Sequence, residues 1–294
     1  MGYSHCLHPT KTEQVVKALL ENHSVNFIGE DIEGCSRVLE DIQHIALDNV
    51  IVVLVNVKSY HQSYQGLIGA IWAGCQQSRE LESLDFATLV TALEKLDCRV
   101  ILLLNYFDAL LNTPDLDAKY DMKFFDNLNS LKQQSNISLL CATQKPHNHS
   151  WIYINGKIHS KSKLDLEKTY LRKLSLKNMR IEIQRHYPDL SDIELSDFTR
   201  TCYEHRDKYC FFQFCLDSLI DEDVSLTSQL IDWKSDYEDY QPKFSLPKKA
   251  DKGLEKLKIL QSIGKEYYSV LKGLGIFAGL VILWKWISGF FGSS

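Results

Sequence analysis

Apolar residues along this chain gather in short dense runs, separated by stretches where they recur every three or four positions. Three runs have the length and β-branched content of buried parallel strands: Asn49–Lys58 (NVIVVLVNVK), Cys98–Asn105 (CRVILLLN) and Asn136–Ala142 (NISLLCA). A fourth, Ser24–Ile28, is shorter and leads directly into Gly29. Between them, Ser36–Ala46, Ser63–Arg79, Asp85–Leu96 and Lys119–Gln134 carry helical spacing. Strands alternating with helices predict an α/β sheet with helices on both faces. Trp151–His159 (WIYINGKIH) predicts a hairpin or edge element around Asn155 and Gly156. Past Leu164 the pattern turns helical, with spaced apolar positions in Leu176–His186, Ser191–His205 and Tyr209–Ile220. Ser191 followed by Glu194 is a capping-box start. The expected organisation is an α/β domain over 1–163, a small helical domain over 164–242, a basic linker over 243–272 and an apolar helix over 273–291.

The segment SVNFIGEDIEGCSRVLEDI sets Gly29 and Gly34 at the spacing of a phosphate-binding loop, between a predicted strand and a predicted helix. In such a loop, backbone N–H groups and the helix N-terminus surround a phosphate. A lysine then reaches the outer phosphates, and the next hydroxyl binds magnesium. Here Cys35 stands at the lysine position and Ser36 at the hydroxyl position. A plain strand-to-helix turn can use the same two glycines. The order strand, loop, helix and three further strands favours the phosphate loop.

Three segments in order, GEDIEGCSRVLEDI, VILLLNYFDALL and FFDNLNSLKQQSNISLLCATQKP, resemble the nucleotide-binding core of AAA+ and STAND-type P-loop ATPases. Tyr170–Ile220 resembles the helical lid of that family, and the whole resemblance covers about residues 10–222. It implies a P-loop NTPase-like parallel sheet flanked by helices, followed by a small helical lid. It also implies ATP or ADP with Mg2+ as the cofactor, held around Gly29, Gly34, Cys35, Ser36, Asn105, Asp108 and Thr143. The family ends one strand in two acids, one for magnesium and one for activating water, and the next in a polar sensor. Asn105 and Tyr106 replace the two acids here, Asp108 is the first acid beyond them, and Thr143 and Gln144 occupy the sensor region. Asn105 brings no charge to hydrated magnesium, and Tyr106 cannot act as a carboxylate base. A charge-assisted contact contributes ~1.5–3 kcal/mol, and lysine and both acids are missing together. The expectation is a degenerate site: an inactive or very weak ATPase that binds nucleotide weakly at most.

Other candidates have plainer readings beside them. His5, Cys6 and His8 form a small metal-ligating cluster on a terminus expected to be mobile. His147, His149 and His159 flank the hairpin and read as surface histidines. Cys35 at a helix start invites a nucleophile. Arg206 and Lys208 precede a lid helix, where they can meet a bound anion or simply be solvated. Asp115, Asp117 and Asp121 form an acidic loop face without calcium-loop spacing.

With 45% apolar and 24% charged residues among 294, the chain is neither disordered nor collagen-like. Eight scattered cysteines without a CxxC pair suggest a reducing compartment, without a disulfide framework or zinc ribbon. The first residues lack the basic and apolar regions of a signal peptide. Charge is uneven. Lys243–Ser294 holds nine lysines against three acids, +6, so the rest carries −11 of the net −5. An acidic body is poorly built for nucleic acid, which is not indicated, and better suited to a cytoplasmic protein partner. Gly273–Phe291 is 19 residues with Lys285 as its one charge, long enough as a helix to span roughly 28 Å. A single-pass C-terminal membrane anchor with a cytoplasmic body follows from the lysines upstream. An interfacial helix and a helix buried in an oligomer are the alternatives. Leu254, Leu257, Ile259, Leu260 and Ile263 form a stripe suited to a homo-oligomer. The functional expectation is a membrane-anchored scaffold, sensor or regulatory subunit, with bacterial defence or a mobile element as a fitting setting. A slow or oligomer-completed ATPase and a membrane-disrupting effector controlled by the body are the alternatives.

Overall fold

Strand β1 (Val25–Ile28) lies in the interior of a five-stranded parallel sheet, completed by β2 (Val50–Asn56), β3 (Arg99–Asn105), β4 (Ile137–Thr143) and a late strand at Glu167–Tyr170. This computed structural model describes Tyr3, residues 5–75, 81–218 and 226–240. The expected linker over 243–272, its apolar stripe and the segment over 273–291 lie outside the described residues. Among the described residues no helix is long and apolar enough to cross a membrane.

Spatially the sheet runs β2, β3, β4, β1 and then the Glu167–Tyr170 strand. Its registers align Asn56 with Asn105 and Ile28 with Thr143, so the carboxyl ends of these four strands lie at one end of the sheet. Alternation through β3 and β4 explains the continuous apolar runs. Val100, Leu102, Leu104, Ile137, Leu139 and Cys141 enter one core, while Ile101, Leu103, Leu140 and Ala142 enter the other. The second core is covered by α1 (Pro9–Leu20) and α2 (Cys35–His44), through Val15, Val16, Leu19, Val38, Leu39 and Ile42. The first is covered by α3 (Tyr64–Gly74), α4 (Phe86–Glu94) and α5 (Met122–Ser130). Edge-to-face contacts of Tyr64, Tyr120, Phe86 and Phe124, with centroids 5.1–5.8 Å apart, fix α3 to α5. Asp85 and Asp121 cap α4 and α5 by accepting from Thr88 and Phe124 N–H groups.

The hairpin forms as predicted, with β5 (Trp151–Ile154) and β6 (Lys157–Lys161) turning at Asn155 and Gly156, both at positive φ. Two expectations change. Past Leu164 the chain does not go straight into helices: Glu167–Tyr170 is β7, paired in parallel with β1 at the sheet edge. Its residues are exposed or half-buried, so the strand carries no apolar run for the sequence to reveal. The N-terminal residues, expected to be mobile, pack down. Cys6, Leu7 and His8 are all 5% exposed or less, and the Leu7 N–H donates to Asp41 Oδ2 at 2.8 Å.

The helical part consists of α6 (Leu176–His186), α7 (Asp192–Glu204) and α8 (Lys208–Asp217), with α9 (Leu226–Tyr240) following. Ser191 and Glu194 form the expected capping box. Phe198, Phe211 and Phe212 make a core of their own among these helices.

Candidate functional site

The loop from Gly29 to Ser36 sits where a phosphate loop belongs, at the carboxyl end of β1 and the start of α2. Its conformation is closed on itself. Asp31–Glu33 winds into a 3-10 turn, followed by Gly34 at φ 82°. The Glu33 and Gly34 N–H groups donate to the carbonyls of Glu30 and Asp31, at 3.0 and 2.8 Å. Cys35 N–H donates to Glu30 O, and Gly29 N–H to Thr143 O. Ser36 N–H donates to Asp31 Oδ1 at 3.2 Å, and the Ser36 hydroxyl donates to the same oxygen at 2.7 Å. A carboxylate thus stands at the helix N-terminus where an anionic phosphate would be stabilised.

Both glycines answer to packing. A Cβ on Gly29 would lie 2.8 Å from Leu171 Cβ, and one on Gly34 would lie 2.2 Å from Leu7 Cδ2. The first reflects the chain crossing over after β7; the second reflects the N-terminal segment folded over the loop.

Around Ser36 the structure gathers some of the predicted residues. Asn105 Nδ2 donates to Ser36 Oγ at 2.9 Å, and Tyr106 OH lies 3.2 Å from the same oxygen. Tyr106 takes left-handed backbone at φ 55°, sparsely populated for a large side chain, which brings its ring to the loop. Burial pushes its hydroxyl up to about 12, with Asp31 adding to the rise. Ser36, Asn105, Tyr106 and Asp31 therefore satisfy one another.

The other predicted site residues point to structural work. Cys35 is 4% exposed inside the second core, and burial raises its thiol far above the ordinary range, so it is no activated nucleophile. Thr143 is buried, and its hydroxyl accepts from Asn26 Nδ2 at 2.7 Å. Asn26 Oδ1 in turn accepts from His147 N–H at 3.0 Å. Asp108 Oδ2 accepts the Gln144 N–H at 2.5 Å, tying the chain after β3 to the chain after β4. Burial raises the Asp108 carboxyl.

Helical residues complete the closure. Lys208 Nζ lies 3.1 Å from Glu33 Oε1, while Glu33 Oε2 accepts the Leu174 N–H at 2.5 Å. Lys208, which could have met an anion, is held by the loop itself. Arg37 Nε donates to Glu182 Oε1 at 3.1 Å, and its Nη1 pairs with Asp41. Glu182 on α6 is 1% exposed and also meets Arg185, His186 and the Tyr209 hydroxyl. Sequence reasoning missed this hub because the partners lie on α2, α6 and α8. The acid-rich loop GEDIE was the one local signal that the loop carries its own anion.

Between loop and helices a cavity of about 220 Å³ remains, lined in part by Asp31, Ser36, Glu40, Tyr106, Tyr209 and Gln213. Ligand pockets span ~300–1,000 Å³. Two carboxylates line this smaller space, and Arg37, its lining cation, is already paired with Asp41 and Glu182. The residues present do not fit a magnesium-bound nucleotide: the amides of Glu33, Gly34, Cys35 and Ser36 donate within the loop, and the loop supplies negative charge.

The remaining candidates resolve simply. Of the three hairpin histidines, His147 is buried, not superficial, with Nδ1 3.3 Å from Ser162 Oγ; His149 and His159 are exposed. Among the described residues no three His, Cys, Asp or Glu side chains gather as metal ligands would. None of the eight cysteines is in a disulfide.

No protein-family profile matches the chain, and no curated protein matches it. Among solved structures, it is similar to the Aeropyrum pernix Orc1 protein in complex with DNA, at 13% identity and a TM-score of 0.49. That match covers 78% of this chain and 65% of the Orc1 chain, so this chain spans less than two thirds of that protein's length. It is also similar to a chain of Drosophila ORC bound to AT-rich DNA and Cdc6, at 13% identity and TM-score 0.37, over 78% and 80% of the two chains. A third similarity is to Rif2 in complex with the C-terminal domain of Rap1, at 11% identity and TM-score 0.32, over 71% and 70%.

Proposed function

We propose that this chain is a AAA+-like scaffold or regulatory subunit whose nucleotide site has been replaced by an internal latch. It attaches to a membrane through Gly273–Phe291. The observation that carries the first part is the Asp31 carboxylate on the Ser36 N–H and hydroxyl, at 3.2 and 2.7 Å. In a working phosphate loop those donors face phosphate and magnesium. Here they face a side chain three residues upstream of Gly34. The helical part is fixed to the same loop by Glu33–Lys208 and by Arg37–Glu182, so its position needs no nucleotide. Such a body holds one shape and suits a holding role for a cytoplasmic protein partner or a second copy of the chain.

The membrane part rests on the sequence: 19 residues with one charge, preceded by eight lysines between Lys243 and Lys272. Hydrophobic insertion resists salt and alkaline carbonate, whereas lysines alone release as salt screens them. Membranes carrying the full chain should therefore retain it through a carbonate wash. Release by carbonate would remove the anchor from this reading. Magnesium-dependent ATP turnover lost on Gly34→Asp would replace the latch with a slow ATPase.

A further inference from the structure

The net −11 of the body conceals one segment of opposite sign. Residues 145–177 carry eight lysines and arginines against Asp165 and Glu167, a local +6. All eight are exposed: Lys145, Lys157, Lys161, Lys163, Lys168, Arg172, Lys173 and Lys177. None forms a salt bridge with another described residue. The rest of the body has a large excess of acid, yet these side chains stay exposed; Lys145 is close enough to Asp108 to help lower its carboxyl against the rise from burial. Elsewhere the fold does compensate, as at Glu33–Lys208 and Arg37–Glu182.

The segment is held in place. It runs through the β5–β6 hairpin, along edge strand β7 and into α6. Trp151 N–H donates to Asn112 Oδ1 at 2.8 Å, and Asp165 N–H to Asn129 Oδ1 at 2.8 Å, so both legs of the hairpin are tied to the body. His147 Nδ1 and Ser162 Oγ meet at its base, beside Asn26, which is registered with Lys168 across the β1–β7 pair. Two of these charges are felt by neighbouring groups: after burial, Arg172 helps lower the Lys11 ammonium and Lys168 helps lower His147.

Apolar side chains are interleaved with the cations. Tyr170 is 55% exposed and Leu176 50% exposed, and both fall within the basic run. Trp151 is half-buried with Lys161 Nζ over its ring, 5.5 Å from the centroid. Base stacking on that face of Trp151 is blocked, which leaves Tyr170 as the exposed ring of the run. Lysine and arginine alternating with exposed tyrosine and leucine instead match the headgroup region of an anionic bilayer.

The geometry points to the hairpin, β7 and the start of α6 as a docking face for an anionic membrane surface. It orients the acidic body on the leaflet to which the chain is attached. This deepens the proposed membrane attachment and rests on it for bringing the body near the bilayer. The acidic remainder is repelled from the same surface, so among the described residues this basic run is the one that turns inward.

Flotation and amine acetylation of the full chain test both readings separately, using phosphatidylcholine vesicles with and without about 30% phosphatidylserine. Flotation with neutral vesicles reports the anchor. Slower acetylation of Lys157, Lys163, Lys168 and Lys173 with phosphatidylserine, reversed by about 0.5 M salt, reports the docking face. The expected slowing is about fivefold, the effect of one lysine held at an anionic surface. Reversing the exposed charges by Lys157→Glu, Lys163→Glu and Lys173→Glu should abolish the protection of Lys161, Lys168 and Lys177 with no loss of fold. Flotation only with anionic vesicles would sink the anchor, and protection of the 157–177 lysines on those vesicles would still support the docking face. Flotation with both, at equal acetylation rates, would keep the anchor and overturn the docking face. Protection by duplex DNA or RNA, but not by anionic vesicles, would overturn it in favour of nucleic acid, as would a triple variant that stays protected.

Discussion

Two charged regions of this molecule use their charges in opposite ways. At the end of β1 three charges have partners inside the fold: Asp31 faces Ser36, Glu33 faces Lys208, and Arg37 faces Asp41 and Glu182. Between Lys145 and Lys177, eight cations have no ion pair with a described residue. The first region looks like a ligand site by position, but its Ser36 donors and its cations Arg37 and Lys208 are taken by the protein's own carboxylates. The second matches no motif, yet it holds free charge on a tethered frame. Position in a fold and capacity to bind are separate properties, and the hydrogen-bond partners decide the second.

The contrast breaks most visibly at Glu182. Its buried carboxylate meets Arg37, Arg185, His186 and Tyr209, so Glu182→Ala strands buried donors and cations. Such a loss costs about 3–5 kcal/mol, measurable by urea unfolding; a change below about 1 kcal/mol would mean that the hub carries no load. Gly34→Ala comes next. It forces a Cβ to 2.2 Å from Leu7 at a φ of 82° and should cost about 1–3 kcal/mol by the same measurement. No loss would mean that Leu7 and the loop move apart freely.

Asp31→Ala removes the acceptor for the Ser36 N–H and hydroxyl. The loss of an equivalent helix cap costs about 0.5–2 kcal/mol. The same variant sharpens the comparison: freed of its internal anion, the α2 N-terminus should bind sulfate or phosphate better than the wild type, by titration calorimetry. An unchanged anion affinity would show that Asp31 does not occupy that site.

The smallest expected effect is on pH dependence. Burial lowers His8 and His147 below their ordinary 6.5. Each is neutral in the fold, so its stabilising contribution is complete above the unfolded value and is lost as pH falls through the folded one. Stability should decline between about pH 7 and pH 5. Replacing His8 and His147 with glutamine and asparagine should flatten that slope. An undiminished slope would place the titrating groups elsewhere.

The parallel core was legible because β2, β3 and β4 are long, apolar and β-branched, and because their helices keep a clear 3.6-residue spacing. β7 was not, since an exposed edge strand takes its structure from its neighbour β1 and shows no apolar run. At the site, Gly29, Gly34 and Ser36 were found by spacing, and the missing lysine and acids gave the expectation of a degenerate loop. The internal carboxylate was not foreseen, because Asp31 acquires its role only through the 3-10 turn that aims it at Ser36. Glu182 stayed hidden for a different reason: 145 residues separate it from Arg37. The burial of Cys35, read at first as a ligand position, depends on the core it shares with β1, β4 and α2, against which Leu171 also packs. Spacing reports what a loop can resemble, and only the partners report what it does.

Titration calorimetry of the full chain with ATP and excess magnesium tests the central claim most directly. The latch predicts no saturable binding at nucleotide concentrations up to about 1 mM, where even a weak site of −4.1 kcal/mol would be half filled. Saturable binding at about 1–10 μM, abolished by Gly34→Asp in protein that still folds, would contradict it.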